Sequence, residues 1–224
     1  MSGVNVIAID GPAGAGKSTI AKLVAETLSY AYLDTGAMYR AATWWTMHEG
    51  IEWSDVGSVI RTVVSMPFEM RYVDDGLIVE VNGQDVSQEI RTPEVTNAIR
   101  NIDGLAEIRD FFVKEQRKLG LLVPTVADGR DMGTVVFPDA FCKIYLDASV
   151  ETRRNRRAKE LEVRGISVDF DQLKDDIMAR DSNDMNRSVG PLKQAEGAIY
   201  VDSSELTIQE TANHIIELSG RTHG

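Results

Sequence analysis

Residues Gly11 to Thr19 read Gly-Pro-Ala-Gly-Ala-Gly-Lys-Ser-Thr and match the phosphate-binding pattern G-x-x-x-x-G-K-[ST]. The apolar run Val4–Ile9 before this stretch predicts a buried strand, and apolar residues recur at helical spacing after it. Glycines allow successive backbone N–H groups to curl around a polyphosphate, and the N-terminus of a helix adds partial positive charge. The sequence therefore predicts that this stretch binds a nucleoside triphosphate.

Every residue of this loop is a candidate contact for the triphosphate: Gly11, Pro12, Ala13, Gly14, Ala15, Gly16, Lys17, Ser18 and Thr19. Lys17 is predicted to reach the outer phosphates and is a candidate catalytic residue, while the Ser18 hydroxyl is predicted to ligate Mg²⁺. We expect Lys17 in a solvated loop, packed against no core. The alternative, a glycine-rich turn that contains Lys-Ser by chance, does not explain the matching strand and helix on its two sides.

Length and composition narrow the class of protein further. A chain of 224 residues with 43% hydrophobic content allows one large domain, or a core domain with a modest insertion. We expect a cytoplasmic protein, because no apolar stretch is long enough to span a membrane and the first residues lack a secretory pattern. The net charge of −11 argues against a nucleic-acid partner. One cysteine and three scattered histidines argue against a metal site built from those residues.

The order of the predicted elements indicates an α/β fold in three layers, a parallel sheet flanked by helices. Strands are predicted at Tyr30–Asp34, Val123–Asp128, Cys142–Asp147 and Ala198–Asp202, with helices between them. The strands that end at Asp128 and Asp147 each finish in an aspartate. An open α/β sheet presents its ligand-binding residues at the carboxyl ends of its strands.

A different pattern interrupts this alternation. Apolar and charged residues alternate over Phe68–Tyr72 and again over Leu77–Val81, and Asp75-Gly76 and Asn82-Gly83 are turn signals. This predicts a small antiparallel insertion at residues 63–100, leaving 1–62 and 101–224 as the core domain. Helices are predicted at Pro93–Asn101 and Gly104–Leu119.

Six basic and two acidic residues lie between Arg153 and Arg164, a local positive excess in an acidic chain. Arg153, Arg156 and Arg157 share a helix face by their spacing. A solvated helix with Arg–Glu pairs is one interpretation. The other is a helical lid, at about residues 153–170, whose arginines stabilise the charge of phosphoryl transfer.

Two further groups of charged residues are candidates for binding a second ligand. Arg180, Asp184 and Arg187 would share one face of a continuous helix, as a simple salt bridge or as contacts to a nucleotide's sugar and phosphate. The run Asp128–Thr134 follows an apolar strand and combines one arginine, two carboxylates and glycines that permit close backbone approach.

The absence of the N-K-x-D and D-x-x-G elements from the chain argues against a GTPase. Motors and helicases need larger domains and more basic surfaces. Small-molecule kinases remain, and the choice between a nucleotide and another small acceptor stays open at this point. A nucleotide-binding module without turnover is the other open alternative.

Six motifs together resemble the bacterial cytidylate kinase family. They occur in the family's order and span nearly the whole chain: Gly11–Thr19, Leu33–Arg40, Glu89–Val95, Ala127–Ala140, Tyr145–Ser149 and Ala179–Leu192. The resemblance implies phosphoryl transfer from ATP to CMP or dCMP with Mg²⁺, giving ADP and CDP or dCDP. The insertion resembles the enlarged monophosphate-binding domain of this family, and nothing in the sequence suggests a state other than a monomer.

The resemblance also assigns residues to the second nucleotide. The resemblance assigns the CMP phosphate to Thr35, Arg40, Arg130 and Arg187. It assigns the sugar hydroxyls to Arg180 and Asp184, and the cytosine base to Arg109 and Asp131. Arg153 and Arg157 resemble lid arginines that act in catalysis, although the abundance of arginine leaves the register ambiguous. Arg100 departs from the pattern, because some relatives have a base-contacting serine there.

Overall fold

The computed structural model describes residues 4–73, 76–163 and 165–221. The strands in chain order are β1 (Val4–Asp10), β2 (Ala31–Asp34), β3 (Phe68–Val73), β4 (Gly76–Val81), β5 (Gln84–Asp85), β6 (Thr125–Gly129), β7 (Ala140–Asp147) and β8 (Ile199–Asp202). The helices are α1 (Lys17–Leu28), α2 (Thr35–His48), α3 (Val56–Val64), α4 (Pro93–Ala98), α5 (Ala106–Gly120), α6 (Val150–Val163), α7 (Phe170–Asn186) and α8 (Ile208–Ser219).

Five strands form the central sheet in the order β2-β6-β1-β7-β8, and every neighbouring pair is parallel. Asp10 at the end of β1 lies opposite Gly129 on β6, and Asp34 at the end of β2 lies opposite Asp128. Because carboxyl ends of parallel strands meet at one edge, these acidic strand ends come together there. The predicted α/β fold with a parallel sheet is confirmed.

Strand β1 explains why the sheet needs helices on both faces. Val6 and Ala8 belong to one buried cluster, together with residues of α2 and α5. Ile7 and Ile9 point the other way, into a second cluster with residues of α1 and α8. Burial of a valine or isoleucine side chain contributes roughly 1.5–3 kcal/mol, so β1 is fixed from both sides and holds the loop that follows it.

The predicted antiparallel strands are present as the sheet β3-β4-β5. Asn82 and Gly83 form the turn between β4 and β5, and both have left-handed backbone angles (φ of 51° and 74°). Asp75, half of the other predicted turn, lies outside the described residues. Met70 and Val79 are buried in the cluster that includes α2, so the small sheet packs against the core.

Helix α3 was not predicted, and it occupies the chain just before the antiparallel strands. Asp55 caps it by accepting a hydrogen bond from the Ser58 N–H at 3.0 Å, and Val59 and Val63 are its buried residues. The predicted start of the insertion at residue 63 falls in the last turn of this helix. A π-helical turn over Met132–Val136 was also not predicted.

No helix in the described parts of the chain combines the length and the apolar character that crossing a lipid bilayer requires.

Candidate active site

The loop between β1 and α1 curls at the carboxyl edge of the sheet. A side chain at Gly11 would overlap the carbonyl oxygen of Leu146 on β7, so the loop passes directly against that strand. Gly16 has a left-handed φ of 89° immediately before the first residue of α1, a conformation that favours glycine. As a result, the N-terminus of α1 faces the space at the carboxyl edge of the sheet. An anion bound at a helix N-terminus is stabilised by the free N–H groups and the helix dipole.

Lys17 is buried, contrary to the expectation of a solvated loop. Its ammonium donates a hydrogen bond to the carbonyl oxygen of Pro12 at 2.7 Å. Burial, and next the positive charge of Arg130, lower the pKa of Lys17 well below its usual range. The charge of this lysine is therefore poorly compensated without a ligand, and a bound phosphate would supply the missing negative charge.

Ser18 lies beside Asp128, a carboxylate predicted at a strand end and in the run Asp128–Thr134, but not as a partner of this serine. Its hydroxyl donates to Asp128 Oδ2 at 2.9 Å, and the Tyr32 hydroxyl donates to Oδ1 of the same residue at 2.9 Å. Burial, followed by the negative charge of Asp34, raises the pKa of Asp128. Ser18 and Asp128 thus form a paired oxygen donor set next to the loop.

The Ser18 hydroxyl and the Asp128 carboxylate are oxygen donors of the type that Mg²⁺ prefers. Among the described residues there is no cluster of three or more histidine, cysteine or carboxylate side chains that could hold a metal alone. Mg²⁺ usually keeps several waters and binds one or two carboxylates together with substrate phosphates, so a hydroxyl and one carboxylate beside a phosphate loop are sufficient.

Two of the residues assigned to the acceptor phosphate lie at the start of α2. The Thr35 hydroxyl donates to the backbone oxygen of Asp128 at 2.6 Å, which joins α2 to the end of β6. Arg40 is held by Asp34, with 2.8 Å between its Nη2 and the carboxylate. Its Nε is buried and has no hydrogen-bond partner among the described residues, so one donor is available to a ligand.

Arg109 and Asp131 form a buried ion pair between α5 and the segment after β6. Tyr39 accepts a further hydrogen bond from Arg109 at 3.3 Å. Gly190 lies directly on this pair, because a Cβ there would collide with both charged side chains. The two residues assigned to the base therefore pair with each other in a confined, buried position beneath Gly190.

Arg130, Asp184 and Arg187 form an adjoining network. Arg130 Nε donates to Asp184 at 2.7 Å, and Arg187 donates through Nε to the Gly190 carbonyl at 2.6 Å. Burial alone would raise the pKa of Asp184, but the charges of Arg130, Arg180 and Arg187 lower it overall. Nη2 of Arg187 is buried without a hydrogen-bond partner in the described part of the chain.

Arg180 on α7 lies near enough to both halves of the site for its charge to act on Lys17 and on Asp184. A large part of this residue is exposed, yet its guanidinium lies among other charged groups of the cleft. Its loss of hydration there, together with the positive charge of Arg130, lowers the pKa of Arg180. Arg180 and Arg130 both act on the pKa of Lys17 as well, so the phosphate loop and the acceptor network converge on one space.

The arginines of α6 have separate surroundings. Arg153 is buried and donates to the carbonyl oxygens of Ala13 and Ala148 and to Asp181. Arg157 is about one-third exposed and pairs with Glu160 at 2.8 Å. Arg164, at the end of the basic cluster, lies outside the described residues.

Arg156 was not among the predicted site residues, but it touches the phosphate loop. Its Nη1 donates to the Ala15 carbonyl at 3.1 Å and its Nη2 to the Ser203 carbonyl after β8 at 2.7 Å. The repeated arginines of this helix gave no sequence signal that would separate Arg156 from Arg153 or Arg157.

Asp10 also stabilises the segment that carries Asp131. Its position at the end of β1 was the only sequence feature that could have predicted such a role. Its carboxylate accepts hydrogen bonds from the Met132 and Gly133 N–H groups, both at 2.7 Å. Burial raises the pKa of Asp10 to about 6. The contact fixes the π-helical turn next to Asp131, and so helps to place that carboxylate.

A phosphate loop, a buried lysine and converging arginines at the edge of a parallel sheet define a P-loop kinase. The family model for cytidylate kinase matches residues 7–221. The chain belongs to the cytidylate kinase family.

Individual relatives agree with this assignment. The chain is 45% identical over 221 residues to the cytidylate kinase of Streptococcus equi subsp. zooepidemicus, covering 95% of this chain and 98% of the relative. It is 46% identical over 210 residues to the cytidylate kinase of Anoxybacillus flavithermus, covering 94% and 93%. The fold is similar to that of an uncharacterized protein from Eubacterium ventriosum, with a TM-score of 0.52, 12% identity and coverage of 97% and 99%.

Proposed function

We propose that this protein transfers the γ-phosphoryl group of ATP to CMP or dCMP, giving ADP and CDP or dCDP. Membership of the cytidylate kinase family over residues 7–221 is the observation that carries the proposal. The convergence of Lys17 with Arg130 and Arg180 supports it, because a donor phosphate and an acceptor phosphate would meet between these groups.

On the donor side, the loop Gly11–Thr19 would hold the triphosphate, with the buried ammonium of Lys17 placed against its outer phosphates. Ser18 and Asp128 would hold Mg²⁺. When bound, that ion would neutralise charge on the β- and γ-phosphates.

On the acceptor side, Thr35, Arg40, Arg130 and Arg187 are proposed to hold the CMP phosphate, and Arg180 and Asp184 the sugar hydroxyls. Arg40 Nε and Arg187 Nη2 are buried donors without hydrogen-bond partners in the described part of the chain, and this supports the assignment, although Arg187 Nη2 lies 3.9 Å from Asp131 Oδ1. Buried donors without partners cost free energy, so a ligand that satisfies them gains it.

The chemistry needs no dedicated general base. The second pKa of a phosphate monoester is about 6, so the acceptor oxygen of CMP is already ionised at neutral pH. That oxygen attacks the γ-phosphorus, the bond to the β–γ bridging oxygen breaks, and ADP leaves. The residues of this chain then have two tasks, which are to position the two nucleotides and to neutralise their charge.

An assay of ADP release with CMP, dCMP, UMP, AMP, GMP and shikimate as separate acceptors tests the proposal. We expect turnover with CMP or dCMP. Faster turnover with another acceptor would replace the proposed substrate, and no ADP release with any of them would indicate a binding module without catalysis.

We also propose that the protein acts as a monomer in the cytoplasm, on small molecules and without a nucleic-acid partner. Light scattering at micromolar concentration checks the monomeric state, since a dimeric mass would contradict it.

Asp131→Asn is expected to narrow the preference for CMP over UMP. Cytosine offers an amine donor that suits the carboxylate of Asp131, whereas uracil has a carbonyl oxygen at that place. A mismatched buried polar group costs about 1–3 kcal/mol, so the wild type should prefer CMP by roughly tenfold or more. The measurement is kcat/KM for both acceptors, with the exposed Asp139→Asn as the control.

If Asp131 only held a phosphate-binding arginine in place, both acceptors would weaken equally and the ratio would stay unchanged. The structure pairs Asp131 most closely with Arg109, and at 3.9 Å with Arg187 of the proposed phosphate set, whereas Arg130 pairs with Asp184. An unchanged ratio in Asp131→Asn would therefore argue against base recognition by this carboxylate.

Arg157→Met is expected to lower kcat more than it raises KM for CMP, if Arg157 contacts the transferring group only after the lid closes. A hydrogen bond to a charged group contributes roughly 1.5–3 kcal/mol, which corresponds to at least about a tenfold loss of rate. Steady-state kinetics measure it, with the exposed Lys159→Met as the matched control on α6. An unchanged kcat would indicate that Arg157 only forms a surface ion pair with Glu160. Arg154 is a poor control because it lies over the Phe170 ring at 5.3 Å.

A further inference from the structure

Asp181 on α7 is a buried carboxylate that reaches across to the phosphate loop. Its Oδ1 accepts a hydrogen bond from the Ala13 N–H at 3.2 Å, although 168 positions separate the two residues. Its Oδ2 accepts from Arg153 Nη1 at 2.5 Å. Arg153 in turn donates to the Ala13 carbonyl at 2.9 Å. Both backbone polar groups of Ala13 are therefore bonded to one ion pair.

The neighbouring residue of the loop is confined by the same helix. A Cβ at Gly14 would lie 3.2 Å from the Cβ of Arg153 and 3.3 Å from its carbonyl oxygen. A side chain at position 14 would therefore crowd α6, which shows that the loop lies close against this helix. Residues 13 and 14 thus take their conformation from α6 and α7, in addition to the pattern of glycines.

We propose that Asp181 is a positioning residue that sets the phosphate loop for the triphosphate through Ala13 and Arg153. It lies behind the loop and does not itself touch the transferred group. Because α7 also carries Asp184, which bonds Arg130 at 2.7 Å, one helix supports both nucleotide sites. The proposal deepens the proposed function, and it rests on that function only for the identity of the acceptor.

Asp181→Asn tests this role by removing the charge and keeping the shape. Misplacement of a binding group by about 1 Å can cost up to about 100-fold, so we expect the Kd of a non-hydrolysable ATP analogue to rise roughly tenfold or more. The Kd of CMP alone should change less than about threefold, since Asp184 and Arg130 are intact. The matched control is Asp175→Asn, which makes the same change on the exposed face of α7.

Isothermal titration calorimetry with each nucleotide separately distinguishes positioning from a merely structural role. A structural role would lower the melting temperature and leave the Kd of the ATP analogue unchanged, or would weaken both nucleotides equally. Either result overturns the proposal. Asp181→Glu, which restores the charge, should recover part of the lost ATP-analogue affinity.

Loss of Asp181 alone leaves the charge of Arg153 buried without its partner, which is strongly destabilising. If Asp181→Asn does not fold, the double variant Arg153→Met/Asp181→Asn removes both charges and takes its place. The same selective loss of ATP-analogue affinity is expected, and unchanged affinity would again overturn the proposal. Because the ATP analogue binds without an acceptor, this test stands even if the wild type fails to phosphorylate CMP, a result that would contradict only the proposed function.

Discussion

Lys17→Met is expected to lower kcat about 1,000-fold, an effect comparable to the loss of other charge clamps on a transferring phosphoryl group. The buried ammonium lies against the Pro12 carbonyl at the loop, where its charge would face the outer phosphates of ATP. Methionine keeps most of the length of the side chain and removes the ammonium, with its charge and its hydrogen bond to the Pro12 carbonyl.

The fold should survive this change. Because burial already lowers the pKa of Lys17, its charged form is unfavourable in the folded protein without a ligand. The free energy of unfolding of Lys17→Met is therefore expected to equal or exceed that of the wild type. Initial rates and thermal melting measure the two effects, with Lys22→Met, on the exposed side of the same helix, as the control. Wild-type rates in a stably folded Lys17→Met would refute the assignment of the phosphate loop.

Asp128→Asn is the change with the second largest expected effect, a loss of about 100-fold in kcat/KM. Asparagine can still bond Tyr32 and Ser18, but it lacks the charge that the proposed Mg²⁺ site needs. We also expect half-maximal activity at a higher Mg²⁺ concentration, because the affinity of the site for the ion would fall.

The stability of this variant should move in the opposite direction. Burial and the charge of Asp34 raise the pKa of Asp128, so its ionised form destabilises the folded state at neutral pH. A neutral side chain relieves that cost, and the melting temperature should stay the same or rise. Asp202→Asn, an exposed aspartate at the end of β8, is the strand-end control. Unaltered dependence on Mg²⁺ in Asp128→Asn would show that this carboxylate does not serve the ion.

Local signals were sufficient for much of the fold. The glycine spacing before Lys17, the apolar run of β1 and the Asn82-Gly83 turn each depend on neighbours in the chain, and the structure contains the elements that they predict. Helix α3 was missed although Val56, Val59, Ile60 and Val63 have helical spacing, because the segment is short and rich in β-branched residues.

The site depends on contacts that spacing along the chain does not report. Asp128 pairs with Ser18 because β6 lies next to β1, and the order of strands in the sheet was not predicted. The contact between Asp181 and Ala13 joins two distant segments by packing alone. Four arginines within the five positions 153–157 of α6 made it impossible to separate the roles of Arg153 and Arg156 until the helix was oriented against the loop.

If Arg109 and Asp131 recognise the base as proposed, Gly190 restricts how this protein can change its choice of acceptor. It covers the Arg109–Asp131 pair so closely that any residue other than glycine would push one of the two charged side chains away. A substitution at position 190 would therefore weaken binding of the acceptor base before it could change which base is preferred. A change of acceptor, in evolution or by design, would therefore have to start at Arg109 or Asp131 and keep glycine at position 190.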